Sequence, residues 1–425
     1  MAREPTVISL FTGAGGLDYG FEAAGFRTAV ALEMDARCCE TLRANRSWPV
    51  IESDVAAVPT AAILEAAGLR AGEADVLIGG PPCQPFSKSG FWATGEARRL
   101  NDPRASTLEC WLRVLAEARP RAFLLENVEG LGFKGKDEGL RLIQERLAAI
   151  NAAFGTRYAA QIAVLNAADY GVPQVRRRMF VIGSRDGAPF AFPEPTHAEV
   201  GSLALGGTRP CVTAWDALHD LAEPNDTEVR LKGKWADLLP SVPEGENYLW
   251  HTDRGGGEPL FGWRRRYWSF LLKLAKAQPS WTIQAQPGPA TGPFHWSDRR
   301  LTMREMARLQ TFPDDVRILG TLIEAQKQLG NAVPSLLAEV LAREIGRQLL
   351  GRAPAGGEPT LAVGVASRPA PPPRPPAPVP ERYLGLRGDH EAHPGTGRGY
   401  AATVRSGGAE APGGMHRALL AASRD

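Results

Sequence analysis

One cysteine differs in its surroundings from the other four. Cys83 lies in GGPPCQPFS (79–87), directly after the apolar run DVLI and between Pro82 and Gln84. Two prolines and two glycines around a thiol make a poor core strand but a pre-shaped loop, the setting in which a thiol is presented as a nucleophile. Cys38, Cys39, Cys110 and Cys211 read instead as small buried hydrophobes. The odd total and the lack of a CxxC pair argue against a disulfide framework and against a zinc site. Glu126 ends the apolar run AFLLEN (122–127), and a buried carboxyl group there could bear a proton at neutral pH. A helix cap is the other reading of that residue. In QVRRRMFVIG (174–183) a period of two puts Gln174, Arg176 and Arg178 on one face and Arg177 on the other. A solvated basic face is the ordinary reading, but the segment runs straight into a buried strand, which favours inward-facing arginines.

FTGAGGLD (11–18) follows a strand and opens a helix, so backbone N–H groups face whatever binds at the strand end. Glu33 falls 17 residues after Gly16, where a nucleotide-binding α/β unit places an acceptor for a ribose hydroxyl. The glycines do not follow GxGxxG, which leans away from NAD. On these residues alone NAD and S-adenosylmethionine both stay open.

Elements that would position these groups are legible as apolar runs. VISLF (7–11), TAVALE (28–33), DVLIG (75–79), AFLLEN (122–127) and, later, MFVIGS (179–184) read as buried strands, with helical stretches between the first four. Strict alternation implies an α/β fold with a doubly wound, mostly parallel sheet. From about 185 to 298 the pattern dissolves into Pro-, Gly- and Trp-rich sequence, a smaller irregular domain; helices return over 299–350. Ten prolines between Pro354 and Pro380, followed by Gly-rich polar sequence, predict a disordered tail over 351–425.

The 425 residues are 44% hydrophobic and 23% charged, enough apolar material for two or three packed units. No run reaches the ~18 apolar residues of a membrane helix, and the first residues lack the apolar core of a signal peptide. A cytoplasmic protein without membrane contact is expected. The formal charge of +2 hides a local excess: from Arg254 to Arg308 there are ten Lys or Arg against three acids. That stretch, with GWRRRYW (262–268) in it, is where a polyanion should dock.

FTGAGGLD, GGPPCQPFS, ENV, NAADYGVPQVRRRMFVIG, RRLTMREMARLQTFPD and QLGNAVP, in this order, resemble the successive motifs of the bacterial DNA (cytosine-5)-methyltransferase family, over roughly residues 6 to 348. The resemblance implies a SAM-dependent, Rossmann-like catalytic domain (1–184 and 299–350), a target-recognition domain (185–298), double-stranded DNA as substrate and S-adenosylmethionine (SAM) as cofactor. It further implies monomeric action and a restriction-modification setting with a separately acting endonuclease. Cys83 is similar to the nucleophile that adds to cytosine C6, Glu126 to the partner of N3, and Arg178 and Arg176 to the arginines that hold the base O2 and the enzyme's own loop. For SAM it implies Phe11 at the adenine, Gly13 and Gly16 at the methionine end, Glu33 at the ribose and Asp54 at the adenine amino group. Pro82, Asn331 and Ala332 complete the pocket. For DNA it points to Gln174 and Thr282, to which the basic stretch adds Arg264, Arg265 and Arg266. Ser9 departs from the pattern, since many relatives carry an acid there, and Thr107 falls where a leucine usually serves the cofactor. A tRNA methyltransferase of the same fold, a non-catalytic DNA-binding paralogue and an NAD dehydrogenase are the competing readings. The middle domain of over 100 residues disfavours the first, the presence of Cys83, Glu126 and Arg178 the second, and the PPCQ loop the third.

Overall fold

A computed structural model describes residues 3–82, 106–129, 138–199, 207–224, 227–262, 268–353 and 356–386. Cys83 and Arg264 to Arg266 lie outside the described residues. Seven strands form one sheet: β1 (Thr6–Leu10), β2 (Arg27–Glu33), β3 (Val50–Glu52), β4 (Val76–Gly79), β5 (Ala122–Asn127), β6 (Ala159–Asn166) and β7 (Arg177–Ser184). Their order across the sheet is β3-β2-β1-β4-β5-β7-β6. The first five are parallel, and β7 runs antiparallel to both of its neighbours. Crossover helices α1 (Gly16–Ala23), α2 (Ala36–Asn45), α3 (Thr60–Ala67), α4 (Ser106–Ala118) and α5 (Glu138–Phe154) link the strands.

Alternation along each strand sends side chains to two cores. Ile8, Leu10, Val30, Leu32, Leu77, Phe123 and Leu125 meet Ile63, Trp111 and Leu115 on one face. Val7, Val76, Ile78, Leu124, Phe180 and Ile182 meet Phe21 and a late helix on the other. At ~1.5–3 kcal/mol for each large apolar side chain buried, these two layers dominate the stability of the domain.

After the middle region the chain returns through α7 (Met303–Leu309), α8 (Leu322–Asn331) and α9 (Ser335–Leu349). Leu337, Leu341 and Ile345 of α9 complete the cover of the sheet face that α1 covers only in part. The approach is close: a Cβ at Gly16 would stand 2.3 Å from the Val333 carbonyl oxygen, and one at Gly20 would stand 2.4 Å from the Ala338 Cβ. Only hydrogen at those two positions lets the returning segment reach α1.

The middle region has its own small core of Leu238, Leu239, Val242, Tyr248, Phe261 and Leu271 around short turns, while its α6 (Ala214–Leu218) packs instead with Met306 and Leu309 of α7. The expectation of a disordered tail does not hold over 356–386. Thr360 and Leu361 donate backbone N–H bonds to the fully buried Glu339 carboxylate of α9. Ala366 donates to Asp216 and Ala377 to the Pro240 carbonyl. The short helix α10 (Glu381–Leu384) buries Tyr383 against Trp235 in the middle core. Composition missed this because an extended proline-rich segment can be held by backbone bonds, a few scattered aliphatic residues and one aromatic at its far end. Residues 387–425 lie outside the described residues.

Truncation after Ala353 should lower the melting temperature by about 5 °C or more, since it exposes the Tyr383 site and leaves the buried Glu339 carboxylate with Arg343 alone in place of the donors from Thr360 and Leu361, costs of ~1–3 kcal/mol each. An unchanged melting curve would show that the strap carries no stability.

Candidate active site

The carboxyl ends of the five parallel strands lie along one edge of the sheet, where open α/β sheets bind their ligands. Phe11 follows β1, Glu33 ends β2, Asp54 lies just beyond β3, Gly80 to Pro82 follow β4, and Glu126 and Asn127 end β5. Because β7 is antiparallel, its first residues come to this same edge. Pairing of Asn127 with Met179 sets Arg178 beside Glu126.

Glu126 is 9% exposed, and its Oε1 lies 3.0 Å from Nε of Arg178. Burial pushes its carboxyl pKa up, and the charges of Arg178 and Arg176 only partly oppose this. The carboxyl group therefore holds its proton to higher pH than an exposed glutamate. A Cβ at Gly80 would come within 2.8 Å of Glu126 Oε2, so the loop leading to Cys83 passes directly over this carboxylate. Asn127 donates to the Pro81 carbonyl at 3.3 Å, and Thr107 donates to that of Pro82 at 3.2 Å. Sequence reasoning missed these two anchors; for Asn127 the signal was its place in ENV.

Arg176 is 1% exposed and works inward. It donates to the carbonyls of Gly330, at 2.8 Å, and Ile283, at 3.4 Å. Its Nε has no hydrogen-bond partner among the described residues. Burial and the like charge of Arg178 depress its pKa, partly offset by Glu126. Gln174 is fully buried, donating to the Leu309 carbonyl and accepting from Ile283 N–H. Thr282 donates its hydroxyl proton to the Val175 carbonyl at 2.7 Å. Gln174 was expected to touch DNA; instead both ends of its amide are spent inside the protein, and the Thr282 hydroxyl proton is spent there too. Period two identifies a shared face and says nothing of its depth. These residues clamp the end of the middle region and α8 onto β7.

The glycine loop is held from β2. Glu33 accepts from Gly13 N–H at 2.8 Å with one oxygen and from Met34 and Asp35 N–H with the other. Gly13 has φ +57° and open space where a Cβ would point, a cradle that a ligand can enter. Beside Glu33, Met34 is 65% exposed, an apolar surface that sequence reasoning did not single out. Phe11 is half-buried, Asp54 caps a short turn through Ala56 N–H, and Pro82 and Asn331 are exposed; Ala332 is buried. Gly16 touches the returning chain at Val333.

Behind this loop lies a buried network that the sequence did not suggest. Asp18 is fully buried, accepting from Ser9 at 3.0 Å and from Thr28 at 3.2 Å. The hydroxyls of Ser9 and Thr12 are 3.0 Å apart. An acid is thus present beneath the glycine loop after all, supplied from α1 instead of position 9. Burial raises the Asp18 pKa to about 7.

The sheet order with its single antiparallel strand, the glycine loop with its acid, and the open cradle between them define an S-adenosylmethionine-dependent methyltransferase. Residues 5–347 match the family described as C-5 cytosine-specific DNA methylase. The chain belongs to that family. It is 43% identical over 375 residues to the Type II methyltransferase M.SacI of Streptomyces achromogenes, covering 82% of this chain and 94% of that protein. It is 33% identical over 350 residues to M.NgoFVII of Neisseria gonorrhoeae, covering 81% and 87%. The solved structure of Entamoeba histolytica methyltransferase EhMeth aligns with TM-score 0.57 at 16% identity, over 82% of this chain and 99% of that one, a likeness of fold alone.

Asp18 makes stability pH-dependent. The folded state holds its proton up to about pH 7, whereas the unfolded chain loses it near 3.8, so ionisation favours unfolding as pH rises between those values. Asp18→Asn, which cannot ionise, should gain on the wild type by about 1–3 kcal/mol between pH 5 and pH 8 in denaturant titrations. A difference independent of pH would show that Asp18 is ionised throughout.

Proposed function

We propose that the protein methylates C5 of a cytosine flipped out of duplex DNA, through a covalent bond between Cys83 and C6. The observation that carries this reading is the buried Glu126–Arg178 pair at 3.0 Å, set under the Gly80–Pro82 turn that leads to Cys83. C5 of an aromatic cytosine is not nucleophilic. Addition of the Cys83 thiolate to C6 pushes the ring electrons toward N3, and Glu126, carrying its proton, donates to N3 as that charge develops. Arg178 stands beside the same carboxyl group, where its guanidinium can hold the base O2. C5 is then an enamine carbon. SAM supplies the electrophilic methyl group. Loss of the C5 proton to solvent, departure of the Cys83 sulfur from C6 and return of the N3 proton to Glu126 restore aromaticity, the thiolate and the carboxylic acid, leaving 5-methylcytosine.

Phe11, Gly13, Gly16, Glu33, Asp54, Pro82, Asn331 and Ala332 would hold the cofactor at the sheet edge, with Glu33 already aligned by three backbone N–H groups. Residues 185–298 are assigned to target recognition, with Arg264, Arg265 and Arg266 as DNA contacts. The relatives' designation as Type II methyltransferases supports a restriction-modification role, in which a separate endonuclease reads the same word and this chain acts as a monomer on one base.

Bisulfite sequencing of plasmid DNA from cells expressing the protein should show one methylated word. Cys83→Ser should abolish it, because a hydroxyl is not ionised at neutral pH. Glu126→Gln should retain DNA binding and lose activity by ~100- to 10,000-fold. Turnover within threefold of wild type would reduce Glu126 to a structural cap.

A further inference from the structure

The two adjacent arginines of RRLTMRE have opposite surroundings. Arg299 donates to both oxygens of the buried Glu305 carboxylate, at 2.9 and 2.7 Å. Arg300 is half-buried, yet its side chain meets no acid among the described residues. Its one side-chain partner among the described residues is the neutral Gln326 Oε1, at 3.0 Å, while its backbone N–H donates to the Val229 carbonyl. Burial alone acts on its pKa, pushing it down. A guanidinium removed from water without a counter-charge is costly to keep, and the cost is recovered when an anion arrives.

Arg300 lines a small recess with Gly288, Thr291, Ile283, Met306 and Gln326. No carboxylate is among its lining residues. The recess is linked to the reaction centre through Ile283, a lining residue whose carbonyl accepts from Arg176, which in turn neighbours Glu126 and Arg178. The Thr291 hydroxyl stands near the turn at Gly288, within 3.2 Å of where a Cβ of that residue would be. With the Gln326 oxygen already taken by Arg300, what the recess offers a ligand is a fork of N–H donors, the Gln326 amide N–H and a hydroxyl. A base edge is read by paired donors and acceptors, whereas a phosphate needs donors only.

We propose that Arg300 and Thr291 bind a backbone phosphate of the DNA duplex beside the reacting cytosine. The inference rests on the reading of duplex DNA as substrate. The phosphate arrives as the counter-charge that Arg300 lacks, Gln326 holds the guanidinium in orientation, and the contact braces the strand from which the base is extruded.

The test is duplex affinity by fluorescence anisotropy between 50 and 200 mM salt, on the word found by bisulfite sequencing and on a scrambled duplex. SAM affinity and melting temperature are measured alongside. Arg300→Gln should weaken both duplexes and reduce the salt slope by about one. At 0.9 in log K per log salt for each phosphate, the wild-type advantage then shrinks about three- to fourfold across that range. Arg300→Lys should keep the slope, SAM affinity should not change, and Thr291→Val should weaken both duplexes alike at unchanged slope. An Arg300→Gln variant with the wild-type slope, or with a loss confined to the methylated word, overturns the proposal. If Arg300→Gln does not fold, wild-type affinity in Thr291→Val, or a lost slope in Arg300→Lys, overturns it as well. Failure of the wild type itself to bind either duplex would refute the underlying reading and not this site.

Discussion

Everything at the reaction edge depends on keeping one carboxyl group and two guanidinium groups out of water together. Glu126 and Arg176 are almost fully buried, and Arg178 is only slightly more open. Ions are expensive to bury, and the cost is tolerable only when each finds hydrogen bonds in place of water. Arg176 takes the carbonyls of Gly330 and Ile283, and Arg178 takes Glu126 and the Arg177 carbonyl. These bonds exist because β7 is antiparallel: a parallel strand would have delivered its first residues to the opposite edge. The sheet's antiparallel strand and the chemistry proposed for it are therefore the same constraint.

That constraint also explains why the chain returns. The carbonyls that satisfy Arg176 belong to residues 283 and 330, far along the chain. Closing the site requires the middle region to end beside β7 and α8 to end beside α1. The glycines at 16 and 20 and the cover supplied by α9 make that approach possible. The docked segment 356–386 extends the same logic, running from Glu339 on α9 to Trp235 in the middle core and so tying the two parts of the molecule together.

What could be read in advance followed the strength of the burial signal. Strands β1, β2, β4, β5 and β7 are buried along most of their length and stand out as apolar runs. Strand β3 is three residues long, and β6 is a half-exposed edge strand of mixed character; neither was legible. Cys83, Glu126 and the glycine loop drew attention because their residue types are odd for the elements they interrupt. Asp18 did not, since an acid in the first turn of a helix is ordinary, and only the fold buries it with Ser9 and Thr28. Gln174 and Arg176 are buried, as their run into a strand suggested, but alternation could not name their partners, which are backbone groups at 283, 309 and 330. The strap was missed because its docking is spread thinly, over backbone groups, Tyr383 and scattered aliphatic residues such as Leu361, Val363 and Val379, which leave little trace in composition.

The central claim is that a protonated Glu126 supports attack by Cys83 on a cytosine held between them. Its most direct test is to incubate the protein and cofactor with a duplex carrying 5-fluorocytosine at the methylated position, where fluorine cannot leave as a proton does and the adduct is trapped. Digestion and mass spectrometry should place the DNA on Cys83, and the adduct should accumulate at least a hundredfold more slowly in Glu126→Gln. A DNA adduct on another residue, or equal rates in the two proteins, would contradict the account.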